Sequence, residues 1–169
     1  MKDAAAGGQL LLAEEELLAT MNLFGAQMIA VRGRERALAG LDNRKEGEEF
    51  LAANKTKEGV VALPSGLQYK VLKTGDGKKP TAADTVECHY RGTLINGTEF
   101  DSSYRRGQAA SFSVAGVISG WTEALKLMPV GSKWQLFIPP QLAYGAQGAG
   151  RDIGPDTTLI FEVELLAIK

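Results

Sequence analysis

Over residues 9–53 apolar side chains recur at helical steps: Leu10, Leu17, Met21, Phe24, Met28, Val31 and Leu38 follow one another at intervals of three, four or seven. Such spacing sets them along one side of a helix. The stretch is rich in Ala, Leu, Glu, Arg and Met, contains no proline, and follows a Gly7-Gly8 turn signal. Glu14, Glu35 and Asp42 fall on the continuation of the seam, where a long coiled coil would place apolar residues. Gly25, Gly33, Gly40 and Gly47 each weaken a helix by about 1 kcal/mol relative to alanine. The second half, Arg32 to Asn54, therefore reads as a solvated or weak helix. Two readings stay open: an amphipathic helix packed on its own domain, or a spacer or self-association arm. The charged stretch after Arg32 lacks a continuous apolar face and favours the arm.

From Gly59 the pattern changes from a helical period to alternation. Leu63-Pro64-Ser65-Gly66 is a turn signal, and Leu67–Lys73 alternates like a strand. Thr85–Ile95 reads as a second strand, closed by the hairpin signal Asn96-Gly97. Ser111–Val114 is a short strand, and Trp121–Met128 a short helix stopped by Pro129 and Gly131. Lys133–Ile138 is a strand ended by Pro139-Pro140, residues 141–156 are a glycine-rich loop, and Thr157–Ile168 is the last strand. Strands around one short helix imply an α+β fold: a twisted antiparallel sheet wrapping that helix, with a long projecting N-terminal helix. The division falls into a helical arm, 1–55, and a compact domain, 56–169. Val71, Val86, Leu94, Leu125, Leu136, Leu159 and Val163 are the expected core, with Cys88 a buried thiol and His89 solvated on the opposite face of its strand.

Composition narrows the chemistry. The chain has 169 residues, 19 basic and 20 acidic, for a net charge of −1, which argues against a nucleic-acid footprint. One cysteine allows no intrachain disulfide, and a lone histidine weighs against a histidine-rich metal site or a serine–histidine hydrolase. No apolar run approaches a membrane span, and no signal peptide is visible. Asn54-Lys55-Thr56 and Asn96-Gly97-Thr98 match the N-glycosylation pattern.

What remains is a scatter of aromatic and apolar residues: Tyr90, Phe100-Asp101-Ser102-Ser103, Val117-Ile118-Ser119-Gly120-Trp121, Tyr144-Gly145, Ile153-Gly154-Pro155 and Phe161. They are too dispersed for a helix stripe and converge only if strands and loops gather them around one cavity. Taken singly, Trp121, Phe112 and Phe161 read as core and Asp101 as a turn residue. Jointly they read as a dry aromatic pocket. Such a pocket suits a reaction that needs no nucleophile, rotation about a peptide bond preceding proline.

Residues 60–169 resemble the FK506-binding-protein family of peptidyl-prolyl isomerases. The resemblance runs through Tyr90-Arg91-Gly92, Asn96–Ser103, Val117-Ile118-x-Gly120-Trp121, Met128-Pro129-Val130-Gly131, Ala143-Tyr144-Gly145 and Leu159–Leu165. Ala52-Ala53-Asn54-Lys55, Gly59–Tyr69 and Ile153-Gly154-Pro155 are similar to the macrophage infectivity potentiator (Mip) branch. In that branch an N-terminal dimerisation region feeds a long helix, and residues 4–53 resemble its later part. Here the seam breaks at Glu35 and Asp42 favour a monomer over a homodimer through the N-terminal helix. The branch also implies a secreted, periplasmic or cell-surface location and a part in virulence.

The resemblance further implies a half-barrel fold and a peptidyl-prolyl cis-trans isomerase working without cofactor, metal or covalent intermediate. Its partners would be proline-containing peptides and unfolded proteins, with inhibition by FK506- or rapamycin-type macrolides. It makes Trp121 the pocket floor, Tyr90, Phe112, Val117, Ile118 and Phe161 the walls, and Phe100 the flank. Tyr144 would donate its phenolic hydrogen to a substrate carbonyl, with the Ile118 N–H as a second donor. Asp101 would accept from Tyr90 or pair with Arg106, and Ile153 would contact the residue before proline. Ala110 and Ala149 would leave the rim open. The alternative is a proline-binding chaperone or interaction module with little turnover.

Overall fold

In a computed structural model the described backbone runs from Asp3 to Lys169, with side chains described from Ala13 onward. Helix α1 covers Asp3–Asn54, so the helix passes through Gly7-Gly8 where a turn was expected. The side chain of Leu10, at the head of the expected seam, lies outside the described residues. The chain divides into two compact units, Met1–Leu38 and Ala39–Lys169. In the first unit the seam residues Leu17, Met21, Phe24 and Val31 are exposed.

The second unit holds seven strands in one antiparallel sheet: β1 (Val60–Ala62), β2 (Gln68–Lys73), β3 (Thr85–Leu94), β4 (Glu99–Ser102), β5 (Ala110–Ser113), β6 (Lys133–Ile138) and β7 (Leu159–Ile168). Their spatial order is β1-β2-β6-β7-β3-β4, with β5 pairing the first half of β3. The short helices are α2 (Ser103–Arg106) and α3 (Ser119–Leu127). Successive strand residues point to opposite faces. Val86, Cys88 and Tyr90 of β3 therefore face inward with Leu159, Phe161, Val163 and Leu165 of β7, and with Trp134, Leu136 and Ile138 of β6. These surround Leu125 and Met128 at the far end of α3. Asn96-Gly97 forms the expected turn, with Gly97 at φ +87°.

Three sequence expectations need correction. Val71, assigned to the core, is 42 % exposed because it lies on the edge-ward half of β2 beside the register shift between Val71 and Lys73. His89 is not simply solvated: its ring stacks on Tyr104 at 4.7 Å, and Nδ1 lies 2.9 Å from Ser103 Oγ. The stretch up to Asn54 is not a weak solvated rod in its last four turns. There α1 packs on the sheet's outer face, where Phe50 meets Phe137 at 5.9 Å. Gln68, paired with Phe137 across β2 and β6, accepts from Asn54 Nδ2 at 3.0 Å and donates to the Leu51 carbonyl at 2.9 Å. These contacts lie within the compact unit Ala39–Lys169. Asn54 is 1 % exposed, which closes that glycosylation match sterically.

Gly47 explains why a helix-weakening residue sits in a packed helix. A Cβ there would come to 2.3 Å from Thr158 Oγ1, so only glycine lets the helix lie this close to the strand entrance.

Candidate active site

The inner face of the sheet opens between β3, β4, β5, β7 and the start of α3 into a cleft of about 720 Å³. The sequence-predicted residues converge there. Tyr90 comes from β3, Phe100 and Asp101 from β4, Phe112 from β5, and Phe161 from β7. Val117 and Ile118 come from the turn before α3, and Trp121 from its first turn. Tyr144 and Ile153 come from the long connection between β6 and β7. Arg106, at the end of α2, does not line the cleft but stands behind its wall.

Trp121 is the centre of an edge-to-face cluster. Its ring lies 5.4 Å from Tyr90, 5.3 Å from Phe112 and 5.3 Å from Phe161, at interplanar angles of 83°, 72° and 88°. Phe100 meets Phe161 edge-on at 5.4 Å. Edge-to-face pairs satisfy the ring quadrupoles and hold each ring in one orientation. Trp121 is 4 % exposed, and its Nε1–H has no partner among the described residues.

The polar groups are held at the edge. Tyr90 donates its hydroxyl to Asp101 Oδ2 at 2.5 Å. Arg106 donates through Nη1 to Asp101 Oδ1 at 2.5 Å and through Nη2 to the Tyr90 oxygen at 2.6 Å. Burial pushes the Asp101 carboxyl up, but the Tyr90 hydroxyl and the Arg106 guanidinium outweigh it and hold it below its ordinary value. Burial, and then the Asp101 hydrogen bond, push the Tyr90 phenol up, so it stays protonated. Tyr144 is 41 % exposed at the mouth. The Ile118 N–H donates to no backbone carbonyl among the described residues.

Two residues quoted within the sequence motifs, but given no role of their own there, support the cleft. Ser103 is fully buried, and its Oγ accepts from the Tyr90 N–H at 2.8 Å, which fixes the strand under the wall tyrosine. Gly92 seats two rings: a Cβ there would lie 2.6 Å from Phe100 and 2.8 Å from Phe161. Its place two residues after Tyr90, on the same inward face, is the signal that marks it. Gly116, Gly150 and Asp152 also line the cleft, and have no side-chain pattern by which a sequence would single them out.

Among the described residues no helix is long and apolar enough to cross a membrane. The family model for FKBP-type peptidyl-prolyl cis-trans isomerase matches residues 76–166, and that for the domain amino terminal to it matches residues 1–71. The chain is 48 % identical over 169 residues to the outer membrane protein MIP of Legionella longbeachae, spanning all of this chain and 72 % of the relative. It is 46 % identical to the peptidyl-prolyl cis-trans isomerase Mip of Coxiella burnetii, spanning all of this chain and 74 % of that protein. The crystal structure of FkpA from Escherichia coli superposes with a TM-score of 0.87 at 40 % identity, covering 98 % of this chain and 80 % of that one. With its fold, its gathered aromatic cleft and both family models in sequence, the chain belongs to the FKBP-type peptidyl-prolyl cis-trans isomerases, as a homologue of the Mip and FkpA proteins.

Proposed function

We propose that the Trp121 cleft is where the X-Pro bond is turned, with Trp121 as the floor for the proline ring. Tyr90, Phe112, Val117, Ile118 and Phe161 are its walls, and Phe100 its flank. The edge-to-face cage around Trp121 is the observation that carries this reading. Rotating a peptide bond meets a barrier of roughly 18–20 kcal/mol because amide resonance is lost in the twisted state. The twisted amide separates less charge than the planar one. A ring-lined, water-poor cleft therefore binds the twisted form better than the planar form, which is the requirement for catalysis. Asp101 is engaged by Tyr90 and Arg106, so its part is to hold the wall rather than to move protons.

Tyr144 donates its phenolic hydrogen to a substrate carbonyl, and the Ile118 N–H is a second donor. Ile153 contacts the residue before proline. An FK506-type macrolide occupies the same cleft. The arm self-associates: Leu17, Met21, Phe24 and Met28 are exposed in the single chain, and large apolar side chains in that state favour burial against a second copy over the monomer expected from the seam breaks. Sedimentation equilibrium of the full chain tests this, and a monomer at all concentrations would remove it. The protein acts on folding clients in the cell envelope or at the surface, a placement supported by the outer membrane name of its Legionella longbeachae relative. Recovery solely from the cytosol of the source cells would contradict that placement.

The deciding assay is isomerisation of short X-Pro peptides by the full chain, beside Asp101→Leu and Tyr144→Phe. Acceleration that both substitutions weaken supports the reading. Peptide binding without acceleration would move the assignment to a proline-binding chaperone.

A further inference from the structure

We infer that the last turns of α1 are a positioning device for the cleft, in which Asn43 and Arg44 fix the loop carrying Ile153 and so set substrate affinity and pre-proline preference. This rests on the proposed reading of the Trp121 cleft. The connection from Pro139 to Thr158 has only two single 3₁₀ turns for regular structure, and connections this long are ordinarily mobile unless tied down. Inside it, Ala149 and Ile153 pair through hydrogen bonds of 2.9 and 3.2 Å, and the Asp156 N–H donates to the Gly145 carbonyl at 2.8 Å. These bonds give the loop a shape and join the Tyr144-Gly145 end to the Pro155-Asp156 end.

The side-chain hydrogen bonds that tie residues 154–157 to another element come from α1 among the described residues. Asn43 Nδ2 donates to the Pro155 carbonyl at 2.8 Å and to Thr157 Oγ1 at 3.3 Å. Thr157 Oγ1 in turn donates to the Gly154 carbonyl at 3.0 Å. Arg44 Nη2 pairs with Asp156 Oδ2 at 3.0 Å. Asp156 is the one non-glycine residue with positive φ among the described residues, at 50°, a conformation that persists where surroundings hold it. Here the holding groups are Arg44 on the carboxylate and the Gly145 carbonyl on the N–H. Gly40 brings the helix against Pro155, since a Cβ there would already lie 3.4 Å from that ring. Immediately inside this clamp are Gly154 and Ile153, and Ile153 lines the cleft. A helix residue separated from the loop by 112 positions in sequence thus backs the wall that faces substrate.

The test uses the full chain carrying Asn43→Asp, which replaces the donor with a carboxylate facing a carbonyl, and Arg44→Ala, with Lys45→Ala on the exposed side of the same turn as control. KM and kcat are read on Leu-Pro and Ala-Pro peptides, along with macrolide Kd and thermal melting. We expect KM and macrolide Kd to rise about threefold to tenfold in both variants, with kcat little changed and the Leu-to-Ala preference shifted. Arg44→Lys should restore most of it. Unchanged KM, Kd and preference in folded Arg44→Ala overturn the inference, as does a loss confined to kcat. Should Asn43→Asp fail to fold, faster amide exchange at Ile153 and Asp156 in Arg44→Ala supports it, and unaltered exchange overturns it. A wild type whose isomerisation the macrolide does not block sinks the cleft reading itself, whereas a blocked wild type with unaffected variants sinks only the clamp.

Discussion

Tyr90 gives its hydroxyl proton to Asp101 at 2.5 Å while Arg106 bonds both of them from outside. The ring, already held edge-on by Phe112 and Trp121, thereby has its polar tip fixed as well. Burial pushes the Asp101 carboxyl up, and the bonds from Tyr90 and Arg106 outweigh it and lower it. Burial, and then the bond to Asp101, raise the Tyr90 phenol against the opposing pull of Arg106. For Asp101 the sign follows from its lowered folded-state value: the carboxylate's contribution is complete above its unfolded pKa, about 3.9, and is lost as pH falls through the lower folded value. For Tyr90 the raised value keeps the contribution complete below its unfolded pKa of about 10. We expect kcat/KM to be flat from about pH 5 to 8 on this account. Arg106→Leu should move the acid-side loss to higher pH, because the main positive charge on the carboxylate is gone. A wild-type profile with a titration near neutrality would contradict this.

Gly92→Val should damage the cleft from behind. Its side chain would meet Phe100 and Phe161 at distances no real contact tolerates, and aromatic rings have no flexible end to move aside. Overpacking of this kind destabilises by about 1–3 kcal/mol. Macrolide affinity should fall with it, by isothermal titration of the folded fraction. A variant with wild-type stability and affinity would mean the rings are free to move.

Two glycines of α1 should respond oppositely to alanine. Gly33 has nothing within 4 Å of a built Cβ, so Gly33→Ala should stabilise its helix by about 1 kcal/mol, read as increased helicity. Gly47→Ala should destabilise the compact unit, because the new carbon lands on Thr158 Oγ1. Equal stabilisation by both would show that α1 does not lie on the strand entrance.

Burial, and then the neighbouring Glu87, push the Cys88 thiol up to about 12. A thiol that high carries almost no thiolate at neutral pH and is a poor nucleophile. Thiol reagents should therefore modify native protein no faster than it unfolds, and modify it at once in denaturant. Rapid labelling under native conditions would place Cys88 outside the core.

Tyr144→Phe removes one donor at the mouth without changing the ring. A net hydrogen bond of about 0.5–1.5 kcal/mol corresponds to a loss in kcat/KM of roughly twofold to tenfold. A larger fall confined to kcat would mean that the donor acts in the transition state alone.

The strands of the domain were legible because alternation is a local property. Lys133–Ile138 matches β6 residue for residue, and Thr85–Ile95 differs from β3 by one. The cleft residues were legible because their motifs are separated along the chain yet typed by chemistry, aromatic where rings are needed. What stayed hidden depends on partners distant in sequence. Gly40 and Gly47 look like weak points until Pro155 and Thr158 are seen against them. Asn43 and Arg44 look like ordinary polar helix residues until their partners 112 positions later come into view. The three-residue strand β1 falls below the length at which periodicity is informative.

The central claim is that the cleft around Trp121 is both the binding and the catalytic site. The chain has two tryptophans, and Trp134 stacks on Tyr69 away from the cleft lining. In a Trp134→Phe background, an FK506-type macrolide is titrated while Trp121 fluorescence and X-Pro isomerisation are read on the same samples. The account predicts one midpoint at one equivalent for both signals. Fluorescence that saturates while isomerisation continues undiminished would place the catalytic site elsewhere.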